Sequence, residues 1–126
     1  MKILVIEDEP SSLKLANLVL SSEGHQVSDA HSAEQAIQAI LENQPQIILV
    51  DLGLPGMDGF DLTRRLKQDP KTRHIPIIAV TGYPDQFPRD LAFAAGCDAY
   101  IVKPIDTRRI AGQVTAVADR FGKPEA

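Results

Sequence analysis

The sequence predicts an α/β domain built on a five-stranded parallel sheet with helices on both faces, a doubly wound (βα)5 fold. Two observations lead to this fold class. Five short apolar runs alternate along the chain with longer segments whose apolar residues recur with the period of a helix. The central runs are almost entirely aliphatic, which is typical of parallel strands that are buried on both faces.

The composition fits a single domain of ordinary size. The chain has 126 residues, of which 44% are hydrophobic and 24% charged, and its net charge is −4. No apolar stretch approaches the ~18–20 residues of a membrane span, and a negative net charge disfavours general nucleic-acid binding. The one cysteine, Cys97, excludes an intramolecular disulfide and suits a reducing compartment. We therefore expect a cytoplasmic domain over residues 1–121 and a short tail at 122–126, with no membrane insertion and no direct contact with nucleic acid.

The predicted strands are short and rich in β-branched and aliphatic residues. They lie at 2–6 (KILVI), 26–30 (QVSDA), 47–50 (IILV), 77–80 (IIAV) and 99–102 (AYIV). The second run mixes polar and apolar residues, which indicates an edge strand rather than a central one.

The first two predicted helices follow the first two strands. Residues 11–22 place apolar side chains on one face at helical spacing, and residues 33–44 do the same. Ser32 and Gln35 have the spacing of a capping box, which predicts that the second helix begins directly after Ser32.

The remaining three helices are bounded by residues that stop or start helices. The third is predicted over about 58–69 and is followed by Pro70, which cannot continue a helix. The fourth, at 88–95, is followed by Gly96, a typical C-terminal stop. The last begins at about residue 106 and has its apolar residues on one face.

Strands that alternate with helices form a parallel sheet through right-handed crossovers. For five strands the commonest doubly wound order is 2-1-3-4-5, the flavodoxin-like arrangement, which places strands 1, 3, 4 and 5 side by side. Ligands of such sheets bind beyond the carboxyl ends of the strands, near the point where the strand order reverses. The residues that follow the central strands are therefore the candidates for a functional site.

Polar side chains follow each of these strands. Glu7 and Asp8 follow strand 1, Asp51 follows strand 3, Thr81 follows strand 4 and Lys103 follows strand 5. Three carboxylates at one edge repel one another unless positive charge joins them. Lys103 supplies one charge and Mg²⁺, which prefers oxygen ligands, would supply two more. A carboxylate in such a place can accept a phosphoryl group as an acyl phosphate.

Four segments carry a resemblance to a known family. The stretches VIEDEP, VDLGLPGMDG, IAVTG and AYIVKPI closely resemble the receiver domain of two-component response regulators, the CheY-like superfamily. The resemblance runs from Lys2 to about Phe121, and Thr81 and Lys103 follow Asp51 by 30 and 52 residues, in the order and spacing of that family. A single acid after an apolar run is common in turns, whereas five matching positions on four strands are specific.

The resemblance implies a role for each of these residues. Asp51 is the expected phosphoacceptor, and Mg²⁺ or Mn²⁺ is the expected cofactor. Asp8 is expected to bind the metal directly, Glu7 mainly through water, and Gly53 through its backbone carbonyl, with Asp51 as a further ligand. Glu7 stands where the family more often has Asp, a variant that keeps the carboxylate.

The resemblance also implies a switch. Thr81 and Lys103 are expected to bind phosphoryl oxygens, and the Lys103–Pro104 peptide bond is expected to be cis. Tyr100 occupies the aromatic switch position, where the ring moves inward as Thr81 moves towards the phosphoryl group.

Water access, and with it the lifetime of the phosphorylated state, is set in this family at the positions of Gly53 and Tyr83. Both positions vary in the family, so the sequence leaves the lifetime open. Phe87, between Pro84 and Pro88, is expected to be exposed.

The function implied is phosphorelay signalling by a single-domain response regulator. A sensor histidine kinase or a histidine phosphotransfer protein would supply the phosphoryl group, and a downstream protein would dock on the face of helix 4, strand 5 and helix 5. Such a domain catalyses its own phosphorylation and dephosphorylation but is not a turnover enzyme on a separate substrate. We expect a monomer or a weak dimer.

Several alternatives remain at this point. The chain could instead be a phosphate shuttle, the receiver domain of a hybrid kinase, or a receiver that only mediates protein contacts. A flavin-binding electron carrier is disfavoured because the loop after strand 1, EDEPSS, offers carboxylates where a phosphate would bind. A phosphohydrolase with an Asp nucleophile after strand 1 is disfavoured because Glu7 and Glu9 stand at the positions of its two acids.

Overall fold

The computed structural model describes residues 1–121, in which five parallel strands alternate with five helices. The strands are β1 (Lys2–Ile6), β2 (Gln26–Ala30), β3 (Ile47–Asp51), β4 (Ile77–Thr81) and β5 (Ala99–Val102). The helices are α1 (Pro10–Ser22), α2 (Ala33–Glu42), α3 (Gly59–Gln68), α4 (Arg89–Ala95) and α5 (Ile110–Phe121). The strand order is β2-β1-β3-β4-β5 and every neighbouring pair is parallel. The predicted flavodoxin-like (βα)5 fold is therefore confirmed.

The sheet separates two apolar cores, because successive residues of a strand point to opposite faces. Leu4 and Ile6 of β1 pack in the core covered by α2, α3 and α4. Ile3 and Val5 of the same strand pack in the core covered by α1 and α5. Strands β3 and β4 are buried in the same way along nearly their whole length, whereas β2 is partly exposed and lies at the edge, as predicted.

Local signals in the sequence set several helix ends. The Ser32 hydroxyl accepts a hydrogen bond from the N–H of Gln35 at 3.2 Å, as in a capping box. The Gln35 side chain in turn accepts from the N–H of His31 at 2.8 Å, one residue earlier than a standard capping box has it. Gly96 ends α4 with a φ of 116°, the left-handed conformation that favours glycine.

Some boundaries differ from the predicted ones by a few residues. Helix α2 ends at Glu42 rather than at residue 44, and α5 begins at Ile110 rather than at about residue 106. Residues 106–109 form a turn ahead of α5, in which the Asp106 carbonyl accepts a hydrogen bond from the N–H of Ile110 at 2.9 Å. Strands β3 and β4 are each one residue longer than predicted, because Asp51 and Thr81 still belong to the sheet.

Within residues 1–121, none of the helices has the length and apolar character needed to cross a bilayer. The predicted tail at 122–126 lies outside the described residues. The domain boundary at residue 121 therefore stays a prediction.

The start of α3 lies directly against the chain that leaves β3. A Cβ atom at Gly59 would lie 2.6 Å from the Cα of Leu52 and 2.8 Å from the carbonyl oxygen of Asp51. The N–H of Gly59 donates to the carbonyl of Leu52 at 3.1 Å, which closes the loop between β3 and α3. Only glycine permits this approach, because both neighbours are backbone atoms that cannot move aside.

We predict that Gly59→Ala lowers the free energy of unfolding by roughly 1–3 kcal/mol, as overpacking does in a tight site. The matched control is Gly112→Ala in α5, where nothing lies within 4 Å of the added Cβ. That change is expected to raise stability by up to about 1 kcal/mol, since alanine favours a helix over glycine. Urea denaturation of both variants measures the difference. An unchanged urea midpoint for Gly59→Ala would contradict the assigned contact.

Candidate functional site

The sheet brings the predicted site residues to one edge. Glu7 and Asp8 follow directly after β1, Asp51 is the last residue of β3, Thr81 is the last residue of β4, and Lys103 follows directly after β5. These four strands are neighbours in the sheet, and parallel strands end at the same edge. The predicted convergence of the strand ends is therefore present.

The ammonium group of Lys103 contacts two of the three carboxylates. Its ammonium Nζ donates to Glu7 Oε1 in a close ion pair and lies 3.4 Å from Asp51 Oδ2. The Lys103 side chain is only 22% exposed, so these contacts lie mostly out of solvent. Burial by itself lowers the pKa of Lys103, but the Glu7 and Asp51 carboxylates more than offset this effect and the pKa is raised. The two carboxylates therefore favour the charged ammonium form of Lys103.

Glu7 is the most deeply buried acid of the cluster. It is 5% exposed, and its Oε2 accepts a hydrogen bond from the N–H of Glu9 at 3.2 Å. Burial and then the neighbouring Asp51 carboxyl raise the pKa of Glu7 to about 7, against the opposing effect of the Lys103 ammonium. Ionisation of the Glu7 carboxyl is therefore less favourable than in water unless further positive charge lies nearby.

Asp51 is held from two sides. Its Oδ1 accepts a hydrogen bond from the N–H of Gly53 at 3.0 Å, and its Oδ2 faces Lys103. Its side chain is 14% exposed. A carboxylate that is oriented by a backbone donor and an ammonium, and that still reaches solvent, is well placed to act as a nucleophile.

Glu7, Asp8 and Asp51 together form a cluster that suits a divalent cation. One carboxylate oxygen from each lies within 4.8 Å of the others, and Asp8 is exposed at the rim. Carboxylate oxygens are hard ligands of the kind that Mg²⁺ prefers. Three acids face one ammonium at this edge, so the residues present fit a cation of charge two.

Thr81 and Tyr100 both contact the loop between β4 and α4. Thr81 is 1% exposed, and its Oγ1 accepts a hydrogen bond from the N–H of Tyr83 at 2.9 Å. The Tyr100 hydroxyl donates to the carbonyl of Phe87 at 2.6 Å, and its ring lies partly buried against the core under α4. The Lys103–Pro104 peptide bond, on the following segment, is cis.

Phe87 is a residue that the sequence interpretation placed wrongly. It was expected to be exposed, but it is half-buried and its ring packs against Phe60 with the centroids 5.7 Å apart. A helical turn, in which its N–H donates to the carbonyl of Tyr83 at 3.0 Å, directs the ring inward. Its packing on Phe60 brings together two segments that are remote in the chain, so no local pattern around Phe87 could have predicted it.

A cavity of about 320 Å³ opens beside the cluster, between α1 and the segment that follows β5. Glu7, Asp51 and Lys103 line one part of it, and apolar residues line the rest, among them Leu15, Pro104 and Ile105. The carboxylate of Asp51 is therefore accessible from this side of the domain.

The comparison with known proteins identifies the family. The chain matches the response regulator receiver domain over residues 3–115 and belongs to that family. It is thus a CheY-like receiver domain of the two-component systems, as the sequence resemblance implied.

Individual relatives differ in how much of their length the chain spans. The response regulator PleD of Caulobacter vibrioides is 37% identical over 105 residues, which are 83% of this chain but 23% of PleD. The polar-differentiation response regulator DivK of Brucella ovis is 34% identical over 107 residues, which are 85% of this chain and 87% of DivK. The chain therefore spans about a quarter of the length of one curated relative and most of another.

A solved structure of similar fold is the receiver domain of a sensor histidine kinase from Pseudomonas aeruginosa. It matches with a TM-score of 0.85 at 28% identity, over 94% of this chain and 97% of that one. That structure has a magnesium ion coordinated in its active site cleft. Receiver domains thus occur both in response regulators and in kinases among the proteins that this chain is similar to.

Proposed function

We propose that the chain accepts a phosphoryl group on Asp51 from a phosphohistidine and transmits the signal through a change in its surface. The observation that carries the proposal is the setting of Asp51, whose two oxygens are held by the Gly53 N–H and the Lys103 ammonium within an acidic cluster. The family to which the chain belongs supports the same conclusion.

The proposed reaction transfers the phosphoryl group from the histidine of the donor to Asp51. A carboxylate oxygen of Asp51 attacks the phosphorus of the phosphohistidine, so that an O–P bond forms as the N–P bond breaks. The electron pair of the broken bond stays on the imidazole nitrogen, which takes up a proton from solvent. Lys103, and the Thr81 hydroxyl, bind oxygens of the transferred group, whose charge must be neutralised in the transition state.

The acidic cluster is the proposed site of Mg²⁺ or Mn²⁺. Asp8 and Asp51 would bind the ion directly, Glu7 mainly through water, and Gly53 through its backbone carbonyl. When bound, the ion supplies positive charge that neutralises phosphoryl oxygens. The charge count of the cluster and the magnesium-containing relative from Pseudomonas aeruginosa support this assignment.

In this proposal the chain is not a turnover enzyme. It forms the acyl phosphate on its own side chain and later hydrolyses it, which returns Asp51 to its starting state. Its donor is a sensor histidine kinase or a histidine phosphotransfer protein, and the cytoplasm is the expected compartment.

The proposed output surface is the face formed by α4, β5 and α5. Leu91 and Phe93 of α4 and Val102 of β5 are 48%, 39% and 46% exposed, which supports a protein partner rather than a nucleic acid. Thr81 ends β4, which lies between β3 with Asp51 and β5 with Tyr100, and both Thr81 and Tyr100 contact the same loop. A shift of Thr81 towards a phosphoryl group is therefore proposed to alter this loop and, through Tyr100, the surface.

Related roles use the same chemistry. A receiver domain within a hybrid kinase, or a shuttle between two histidines, would accept the phosphoryl group on Asp51 in the same way. A receiver that only mediates contacts would not need the arrangement of Asp51, Lys103 and the acidic cluster, and we rank it last.

Asp51→Asn is predicted to abolish labelling by radioactive acetyl phosphate or by a phosphorylated histidine kinase domain. The amide has the shape of the carboxylate but is not a nucleophile. The matched control is Asp58→Asn in the same loop, since Asn also serves as an N-terminal cap for α3 and that variant is expected to label normally. Label that persists on Asp51→Asn at the wild-type level would refute the proposal.

Mg²⁺ affinity is predicted to fall by at least about tenfold in Asp8→Ala, which removes a direct ligand, and by less in Glu7→Ala. The remote acid variant Glu34→Ala, in α2, serves as the control and is expected to bind like wild type. A titration followed by the amide signals of Asp51 and Gly53 in NMR spectra measures all three. Equal losses in the two site variants, or a larger loss in Glu7→Ala, would contradict the assigned roles.

Activation is predicted to alter hydrogen exchange most within residues 81–110. A ligand can shift only an equilibrium between states with which it interacts differently, and the proposed states differ in the loop after Thr81. Hydrogen exchange is compared with and without beryllofluoride and Mg²⁺, with Asp51→Asn as the control that should not respond. A response in α2 with no change in 81–110 would place the signalling surface elsewhere.

A further inference from the structure

Gly53 leaves a gap beside the acceptor, and an aromatic ring from another loop borders it. A Cβ atom at Gly53 would lie 3.7 Å from Asp51 Oδ1. It would also lie 3.4 Å from Cε2 and 3.7 Å from Cζ of Phe87. The acceptor carboxylate and the edge of the Phe87 ring therefore both border the place where a side chain at position 53 would begin.

Phe87 is held in this place by three separate elements. Its ring packs on Phe60 of α3 at a centroid distance of 5.7 Å and an angle of 53° between the planes. Its carbonyl accepts the hydroxyl of Tyr100 in β5 at 2.6 Å, and its N–H donates to the carbonyl of Tyr83 at 3.0 Å. These contacts place the ring beside Gly53 rather than in solvent.

The two other positions expected to control water access carry no side chain or a largely exposed one. Gly53 has no side chain, and Tyr83 is 68% exposed. Phe87, which lies six residues after Thr81, supplies the nearest apolar atoms to a Cβ at position 53 from outside its own loop.

We propose that Phe87 is a positioning residue that limits the approach of water to phosphorylated Asp51 and so prolongs the phosphorylated state. The inference rests on the proposed function. In hydrolysis, a water oxygen attacks the phosphorus, the Asp51 O–P bond breaks, its electron pair returns to the carboxylate, and the water releases a proton. An apolar ring beside the acceptor excludes water from that side, as closed sites do for reactive intermediates.

The test measures how fast the label is lost. Wild-type protein and variants are labelled with radioactive acetyl phosphate and Mg²⁺, the donor is removed, and the remaining label is followed over time. Phe87→Ala is expected to shorten the half-life about tenfold, equivalent to about 1.4 kcal/mol of activation free energy. Phe87→Leu keeps part of the apolar cover and is expected to lie between Phe87→Ala and wild type.

A compensating variant separates a shielding role from a merely structural one. Gly53→Leu, added to Phe87→Ala, places a side chain in the same gap from the other side, and the half-life is expected to return towards the wild-type value. Because position 53 is itself expected to set water access, Gly53→Leu alone is the control. Shielding by Phe87 predicts that Gly53→Leu prolongs the half-life by a larger factor in Phe87→Ala, where the ring is missing, than in the wild-type protein. A double variant that loses label as fast as Phe87→Ala would overturn the proposal.

The remaining outcomes are also distinguishable. Failure of the wild-type protein to take up label would refute the proposed function itself. Normal labelling followed by equal decay of wild type and Phe87→Ala would refute the role of Phe87 alone. If Phe87→Ala does not fold, the decay of Phe87→Leu against wild type decides on the same criterion.

Discussion

The ammonium group of Lys103 lies between the carboxylates of Glu7 and Asp51, and the arrangement of the whole site depends on it. Two like charges about 4 Å apart interact by about 4 kcal/mol at an effective dielectric constant of ~20. This is a large fraction of the roughly 5–15 kcal/mol that stabilises a typical domain. Three acids at one sheet edge therefore need positive charge among them. The single ammonium of Lys103 offsets only part of their negative charge. The pKa of Glu7 is accordingly raised, first by burial and then by the neighbouring Asp51 carboxyl, despite the Lys103 ammonium.

Lys103 reaches the Glu7 and Asp51 carboxylates because the strand order places the end of β5 near them. The strand order puts β5 next to β4 and β4 next to β3, so that Lys103 and Asp51 meet although 52 residues separate them. On the other side of Asp51, the close packing of Gly59 on Leu52 holds the loop after β3 against the sheet. Asp51 is thus positioned by the packing of the loop that follows it and by the Lys103 ammonium, so the proposed phosphoryl transfer would need little reorganisation of this side chain.

The loop between β4 and α4 links the site to the rest of the surface. Thr81 accepts a hydrogen bond from this loop, Tyr100 donates one to it, and the Phe87 ring reaches from it to the gap at Gly53. The Tyr100 hydroxyl binds the carbonyl of Phe87, whose ring borders Gly53, so the proposed movement of Tyr100 and the proposed shielding of Asp51 involve the same residue. Cover of the acceptor and change of the output face are therefore expected to share one structural element, with two arrangements of the same loop.

The fold class and the residues at the strand ends could be predicted from local properties of the sequence: the apolar periodicity, the helix stops at Pro70 and Gly96, and the position of each polar residue directly after an apolar run. The strand order was predicted from the general preference of five-stranded doubly wound sheets. The contacts among side chains required the three-dimensional structure, namely the pairing of Lys103 with Glu7, the Tyr100 hydrogen bond to Phe87, and the ring of Phe87 beside Gly53. Phe87 was misplaced because its environment is made by residues from α3, β5 and the loop after β3, which are remote in the chain. Local patterns report which face of an element is buried, whereas the partner that buries it depends on how the layers pack.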